Sequence, residues 1–257
     1  MRPTAGVGVE VSTLASAKTG TEYSLYVSLP DSYAGGSSTY PLLLLLDADS
    51  YFTETCARAR ALAAEGSMEE AVIVGIGYGA GEDMRNRDYT PTAVSGVSTD
   101  SGAASGGAAA FLAFITDELL PWAGTNYRVS TDRAARGILG HSYGGLFVFY
   151  ALFNASDSLG AFIASSPSLG WDSLVSFSYV DAWASSGRSK SVSLFASTGA
   201  GDGFPVDALV SEMAARVQTV CGMAPTVRYY PNTVHADAWE SAFPDGMAVL
   251  FTDRSGQ

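Results

Sequence analysis

Ser142 and His235 are the residues of this chain best suited to do chemistry together. Ser142 lies in Gly140-His141-Ser142-Tyr143-Gly144. That run fits Gly-x-Ser-x-Gly, the sharp strand-to-helix turn that lifts a nucleophilic serine out of an α/β sheet. A serine hydroxyl is a weak nucleophile until a base takes its proton. The chain has 2 histidines, His141 and His235. Adjacent side chains diverge on such a turn, so His235 is the expected base. His141 is then a packed or hydrogen-bonded residue beneath the turn. A chance match competes in a chain with 28 glycines, but ARGIL before the turn and LFVFYALF after it supply the required strand and helix.

A triad needs an acid, and in this class of turn the chain order is serine, acid, histidine. Asp202, within Thr198-Gly199-Ala200-Gly201-Asp202-Gly203, is the first choice, because those glycines could aim it at the imidazole. Asp207 competes, although an acid in a first helical turn already has an electrostatic reason to be there. Asp237, close to His235, is a third candidate, and a serine–histidine pair without an acid is a fourth. An oxyanion hole needs two donors. The backbone N–H of Tyr143 is one, and that of Asp49, with Ala48 next, is the other. A carboxylate facing an oxyanion would raise its energy, so the Asp49 side chain is expected to turn away or to engage substrate hydroxyls. Arg85 and Arg87 could bind an anionic substrate, or instead form ion pairs with Asp83 or Asp88 that order their loop. Trp171, Tyr51 and Tyr143 could line an acyl or aryl pocket, though aromatic residues are commonly core or rim.

The elements that must hold these groups follow from periodicity. Residues 7–12 and 22–29 alternate as two antiparallel strands joined near Lys18-Thr19-Gly20. Residues 42–46 and 71–78 are apolar on both faces, as central strands in covered sheets are. Helices are expected at 52–65, 111–122, 144–153 and 205–220, with a closing helix from 236. Further strands are expected at 135–139, 161–164, 191–197 and 226–230, and 171–190 reads as irregular or partly helical. The segment 79–107 is polar and rich in Gly, Ser and Asp, a long loop or lid. Strands alternating with helices give an α/β fold, with a mostly parallel sheet covered on both faces and an antiparallel N-terminal hairpin. No linker or repeat interrupts 1–257, which is read as a single domain.

Composition narrows the partners. Hydrophobic residues make up 47% and charged residues 16% of 257, a globular balance. The net charge of −12 disfavours nucleic acid, and no apolar run reaches the length of a membrane span. Cys56 and Cys221 lie in separate expected helices without metal-ligand spacing, and whether they pair is open. No apolar stretch follows Met1, so the given chain shows no signal peptide. It is read as soluble, either cytoplasmic or a trimmed secreted form, with the oligomeric state open.

LLLLLDADSYF, VIVGIGY, RNRDYTP, FLAFITDELLPW, GHSYGGLFVFYALF and IASSPSLGWD together resemble the putative-esterase family of α/β-hydrolases, and most of all its branch of siderophore (enterobactin-type) esterases. The match runs from about Tyr40 to Trp171 and more weakly to His235. The wider family is similar to S-formylglutathione hydrolases and mycolyltransferases. The resemblance implies the α/β-hydrolase fold and cofactor-free hydrolysis of small-molecule carboxylic esters or lactones. It implies Ser142 as nucleophile, His235 as base and an acid near Asp202, where relatives often carry Glu and some work with a serine–histidine pair. The chain departs from the family at Asp47-Ala48-Asp49, where Asp-Gly and a neutral residue are commoner, and in an enlarged 79–107 loop. Both departures bear on the substrate more than on the chemistry. The expected function is a serine carboxylic ester hydrolase working through an acyl-enzyme. The alternatives are an acyltransferase of the same fold and a non-catalytic binding protein.

Overall fold

Leu42, Leu44 and Leu46 pack into one hydrophobic layer and Leu43 and Leu45 into the other, so an unbroken apolar run forms a strand covered on both sides. In the computed structural model, which describes residues 9–79, 84–95, 104–203 and 205–252, that strand is β3 (Leu42–Leu45) at the centre of a sheet. The other strands are β1 (Val9–Ala15), β2 (Glu22–Ser28), β4 (Val72–Gly77), β5 (Arg136–His141), β6 (Ala161–Ser165), β7 (Ser193–Gly199) and β8 (Thr226–Tyr230). The 8 strands lie in the order β1-β2-β4-β3-β5-β6-β7-β8. β1, β2 and β4 pair antiparallel, and all remaining pairs are parallel. The expected entry hairpin is therefore present, although residues 7 and 8 of its first strand lie outside the described residues.

The helices are α1 (Ala48–Ala64), α2 (Arg85–Asp88), α3 (Ala108–Phe114), α4 (Leu120–Asn126), α5 (Tyr143–Ala155), α6 (Trp171–Leu174), α7 (Ser176–Ser185), α8 (Val206–Cys221) and α9 (Ala238–Leu250). α1 and α9 cover the face that carries Leu43, Leu45, Ile163 and Phe195. α3, α5, α7 and α8 cover the opposite face. α5 is buried nearly all round, consistent with its apolar sequence. Between α3 and α4 the chain makes a π-helical turn, Ile115–Leu119. Pro121 follows at once, and a proline inside a continuous helix lacks an N–H and crowds the preceding turn.

Two sequence expectations shift. The helix expected to begin at 52 begins at Ala48, because Asp47 takes the left-handed conformation at φ 53 and its carbonyl accepts from Ser50 and Tyr51. Aspartate tolerates that conformation better than most residues. The segment expected to be a loop over 79–107 carries the short helix α2; residues 80–83 and 96–103 of it lie outside the described residues. Cys56 and Cys221 are both free thiols. No helix among the described residues is long and apolar enough to cross a membrane.

β3 continues to β4 on one side of the sheet while β5 continues to β6 on the other. Loops after β3 and β5 therefore diverge and leave a crevice at the carboxyl ends of the strands, the place where open α/β sheets bind ligands. Ser142 follows β5, Asp47 and Ala48 follow β3, Asp202 follows β7 and His235 follows β8.

Candidate active site

Ser142 stands alone between β5 and α5 with φ 59 and ψ −116, a strained backbone for a residue with a side chain. The turn is possible because the glycines around it permit close approach. A Cβ on Gly140 would lie 2.6 Å from the Gly144 backbone, and one on Gly145 would lie 2.9 Å from the Cα of Pro167. The turn is also fastened to the chain after β6. The Ser142 amide donates to the Ser165 carbonyl at 3.0 Å, and the Ser168 amide donates to the Ser142 carbonyl at 3.1 Å.

His235 Nε2 lies 3.1 Å from Ser142 Oγ, and His235 Nδ1 lies 2.5 Å from Asp202 Oδ1. The structure thus brings together serine, imidazole and carboxylate in one hydrogen-bonded line. An imidazole so held can take the serine proton and be stabilised as an imidazolium by the acid behind it. The Asp202 side chain is 1% exposed and that of His235 44%, so the carboxylate is sheltered and the imidazole is partly open. Asp202 Oδ2 accepts from the Gly199 amide at 2.6 Å and from the Ser166 hydroxyl at 2.7 Å. The histidine loop packs directly on the acid's turn, where the Gly201 amide donates to Thr233 at 3.0 Å. Asp207 is exposed and turns its carboxylate to the Ala208 amide, and Asp237 is exposed at the start of α9.

The amides of Tyr143 and of Ala48 and Asp49 lie in the first turns of α5 and α1, where N–H groups have no intrahelical acceptor and the helix dipole favours negative charge. The Asp49 carboxylate does turn away, and not toward a substrate. It accepts from Tyr26 Oη at 2.6 Å, the Tyr78 amide at 2.6 Å and the Gly79 amide at 3.2 Å. It therefore clamps the start of α1 to β2 and to the chain leaving β4.

Arg85 and Arg87 are engaged within the protein. Arg85 Nε donates to Asp47 Oδ1 at 2.7 Å, and its guanidinium also reaches the His141 carbonyl at 3.3 Å and the rings of Tyr89 and Tyr143 at 5.5 Å. Its pairing is with Asp47, a partner not considered from the sequence. Arg87 pairs with Asp88 at 2.7 Å and donates to Thr21 at 2.9 Å, so it orders the segment against the β1–β2 turn. Trp171 meets the ring of Tyr143 edge-on at 5.5 Å and donates to Thr92 at 3.1 Å, so it packs against the residue that follows Ser142. Tyr51 is edge-on to His141 at 6.1 Å and packs on Trp239 and Phe243.

His141 is 3% exposed, with Nδ1 3.2 Å from Ser165 Oγ. Burial first, and then the neighbouring His235 ring and Arg85 guanidinium, push it down to about 4, so it is neutral at neutral pH. It matches the packed residue expected beneath the turn. Ser165 and Ser166 were not singled out by sequence reasoning. Their only signal was the Ser-Ser-Pro-Ser run in a family-like segment. Among the described residues no cluster of three or more His, Cys, Asp or Glu is placed to hold a metal.

This sheet order, with a serine turn after its central strand, defines an α/β-hydrolase fold. A solved IroE-like serine hydrolase from Shewanella oneidensis superposes with TM-score 0.83 at 25% identity, covering 95% of this chain and 80% of that one. The siderophore hydrolase EstA from Aspergillus nidulans shares the fold at TM-score 0.81 and 22% identity, with 97% and 96% covered. The family model described as Putative esterase matches residues 16–242, and the chain belongs to that family. The ferri-bacillibactin esterase BesA of Bacillus subtilis is 35% identical over 179 residues, 64% of this chain and 60% of that protein. The siderophore triacetylfusarinine C esterase of Aspergillus fumigatus is 36% identical over 166 residues, 60% of this chain and 54% of that protein. The aligned region therefore spans less than two thirds of either relative.

Proposed function

We propose that the chain is a serine carboxylic ester hydrolase of the siderophore-esterase type. The observation that carries this reading is the line Ser142 Oγ, His235 Nε2, His235 Nδ1, Asp202 Oδ1, with spacings of 3.1 and 2.5 Å. Ser142 Oγ attacks the ester carbonyl while His235 Nε2 takes its proton, and Asp202 stabilises the imidazolium. The tetrahedral oxyanion is received by the N–H of Tyr143 and of Asp49, with Ala48 beside it, at the converging starts of α5 and α1. Collapse expels the alcohol with the proton from His235. Water then repeats the sequence on the acyl-enzyme.

The relatives named as siderophore esterases support an ester or lactone substrate of that class, and the Tyr143–Trp171 ring pair offers aromatic surface for its acyl portion. Ser142→Ala should lower kcat for a short p-nitrophenyl ester by roughly a thousandfold or more. A fluorophosphonate probe should label the wild type and not the variant. Equal turnover by the two proteins would overturn the assignment. Hydrolysis of a macrolactone siderophore, compared with simple acyl and aryl esters, tests the substrate class.

A further inference from the structure

Ser166 is a buried serine, 1% exposed, with φ 42. That is the left-handed region, which side chains other than Gly, Asn and Asp rarely enter. The next residue is Pro167, and a residue before proline is normally pushed to extended backbone. Ser166 therefore holds a conformation disfavoured on two counts, and such strain persists only where its surroundings over-determine it.

Those surroundings are the proposed machinery itself. Immediately before it, the Ser165 carbonyl accepts from the Ser142 amide at 3.0 Å. Its own amide donates to the Ser197 carbonyl of β7 at 2.8 Å, and two residues on the Ser168 amide returns to the Ser142 carbonyl at 3.1 Å. The turn joins the nucleophile's strand to the acid's strand. From it the Ser166 hydroxyl donates to Asp202 Oδ2 at 2.7 Å. The Gly199 amide donates to the same oxygen at 2.6 Å, and Oδ1 faces His235 at 2.5 Å.

A carboxylate held by a single backbone donor can still rotate about its Cβ–Cγ bond. Two donors on one oxygen from different directions fix the plane and leave the other oxygen for the imidazole. We infer that Ser166 is a positioning residue, whose hydroxyl orients the Asp202 carboxylate toward His235 and whose left-handed turn is kept to deliver that hydroxyl. This rests on the catalytic reading of Ser142, His235 and Asp202.

Ser166→Ala removes the hydroxyl and keeps the strained Cβ, whereas Ser166→Gly removes both. Both variants should lose about tenfold in kcat on a p-nitrophenyl ester with KM within about twofold, and fluorophosphonate labelling of Ser142 should slow in parallel. Ser166→Gly should melt at or above the wild-type temperature, since glycine relieves the backbone. It also carries the test should Ser166→Ala fold poorly. In an Asp202→Asn background, adding Ser166→Ala should slow labelling by less than about twofold, because residues acting through one another are not additive. Wild-type kcat in both single variants, or a full tenfold loss persisting in the Asp202→Asn background, would overturn the role of Ser166. Retained turnover by Ser142→Ala would overturn the catalytic reading as well. An inactive Ser142→Ala beside fully active Ser166 variants would overturn only this inference.

Discussion

The rings of His141 and His235 lie 4.8 Å apart, centroid to centroid, so the chain's 2 histidines pack against each other. Burial keeps His141 from carrying charge. His141 is enclosed by the elbow (the Gly140–Gly144 turn that carries Ser142), Ser165 and Tyr51, while the His235 side chain is 44% exposed. A neutral His141 adds no positive charge beside the His235 ring.

The same burial makes stability pH-dependent. His141 has an ordinary value of 6.5 and is pushed down to about 4 in the folded chain. Between those values the unfolded state binds more protons, so stability is complete above about 6.5 and is lost as pH falls toward 4. The full contribution is roughly 3 kcal/mol at about 1.4 kcal/mol per pH unit. Denaturant melts across this window should show it, and His141→Gln should flatten the slope. A variant slope equal to that of the wild type would refute the assignment.

Asp202→Asn should leave the fold intact and lower kcat by about 10⁴, the loss typical when an amide holds the imidazole in the wrong tautomer. Asp207→Asn and Asp237→Asn should stay within about twofold of wild type, as exposed acids outside the hydrogen-bonded line. Steady-state kinetics with circular dichroism separates these outcomes, and equal losses at 202 and 207 would reassign the acid.

Asp49→Ala removes the acceptor shared by Tyr26, Tyr78 and Gly79. Leaving partly buried donors unsatisfied costs about 1–3 kcal/mol each, so thermal melting should fall by several degrees. The start of α1 should also loosen, with kcat lowered about tenfold and KM nearly unchanged. A Cβ on Gly77 would lie 2.5 Å from Asp49 Oδ2, so Gly77→Ala should reproduce the effect. Intact kcat in a destabilised Asp49→Ala would separate the clamp from catalysis.

A Cβ on Gly201 would lie 2.6 Å from the Cα of Val234 and 2.9 Å from the His235 amide. Gly201→Ala should therefore displace the histidine loop, lowering kcat by about tenfold or more, since small misplacements at a reacting centre are costly. The loop lies at the surface, so melting should change little. A large loss of stability with normal activity would contradict this.

The fold was legible because apolar runs and helical periodicities dominate its core. β3 and α5 declared themselves by their unbroken apolar runs, and Ser142 by the glycines its turn requires. His235 was singled out by scarcity and Asp202 by chain order and its glycines, and the fold brings both into one hydrogen-bonded line with Ser142. What escaped was backbone conformation without a compositional mark. Asp47 at φ 53 moved the start of α1 forward by four residues from 52 to 48, and Ser166 at φ 42 put a hydroxyl on the acid. Non-glycine residues in the left-handed region carry no periodic signal. Partners distant in sequence, such as Asp47 and Arg85, were equally invisible before the chain was folded.

That Asp47–Arg85 pair, 2.7 Å apart, joins the turn after β3 to the polar segment after β4, and Arg85 reaches on to the His141 carbonyl of the elbow. The segment is consequently not a free cassette. Exchanging it between members of the family to retune substrate preference would have to carry positions 47 and 85 together. A graft that brings a neutral residue to 85 leaves the elbow's neighbour with a carboxylate that has lost this cation.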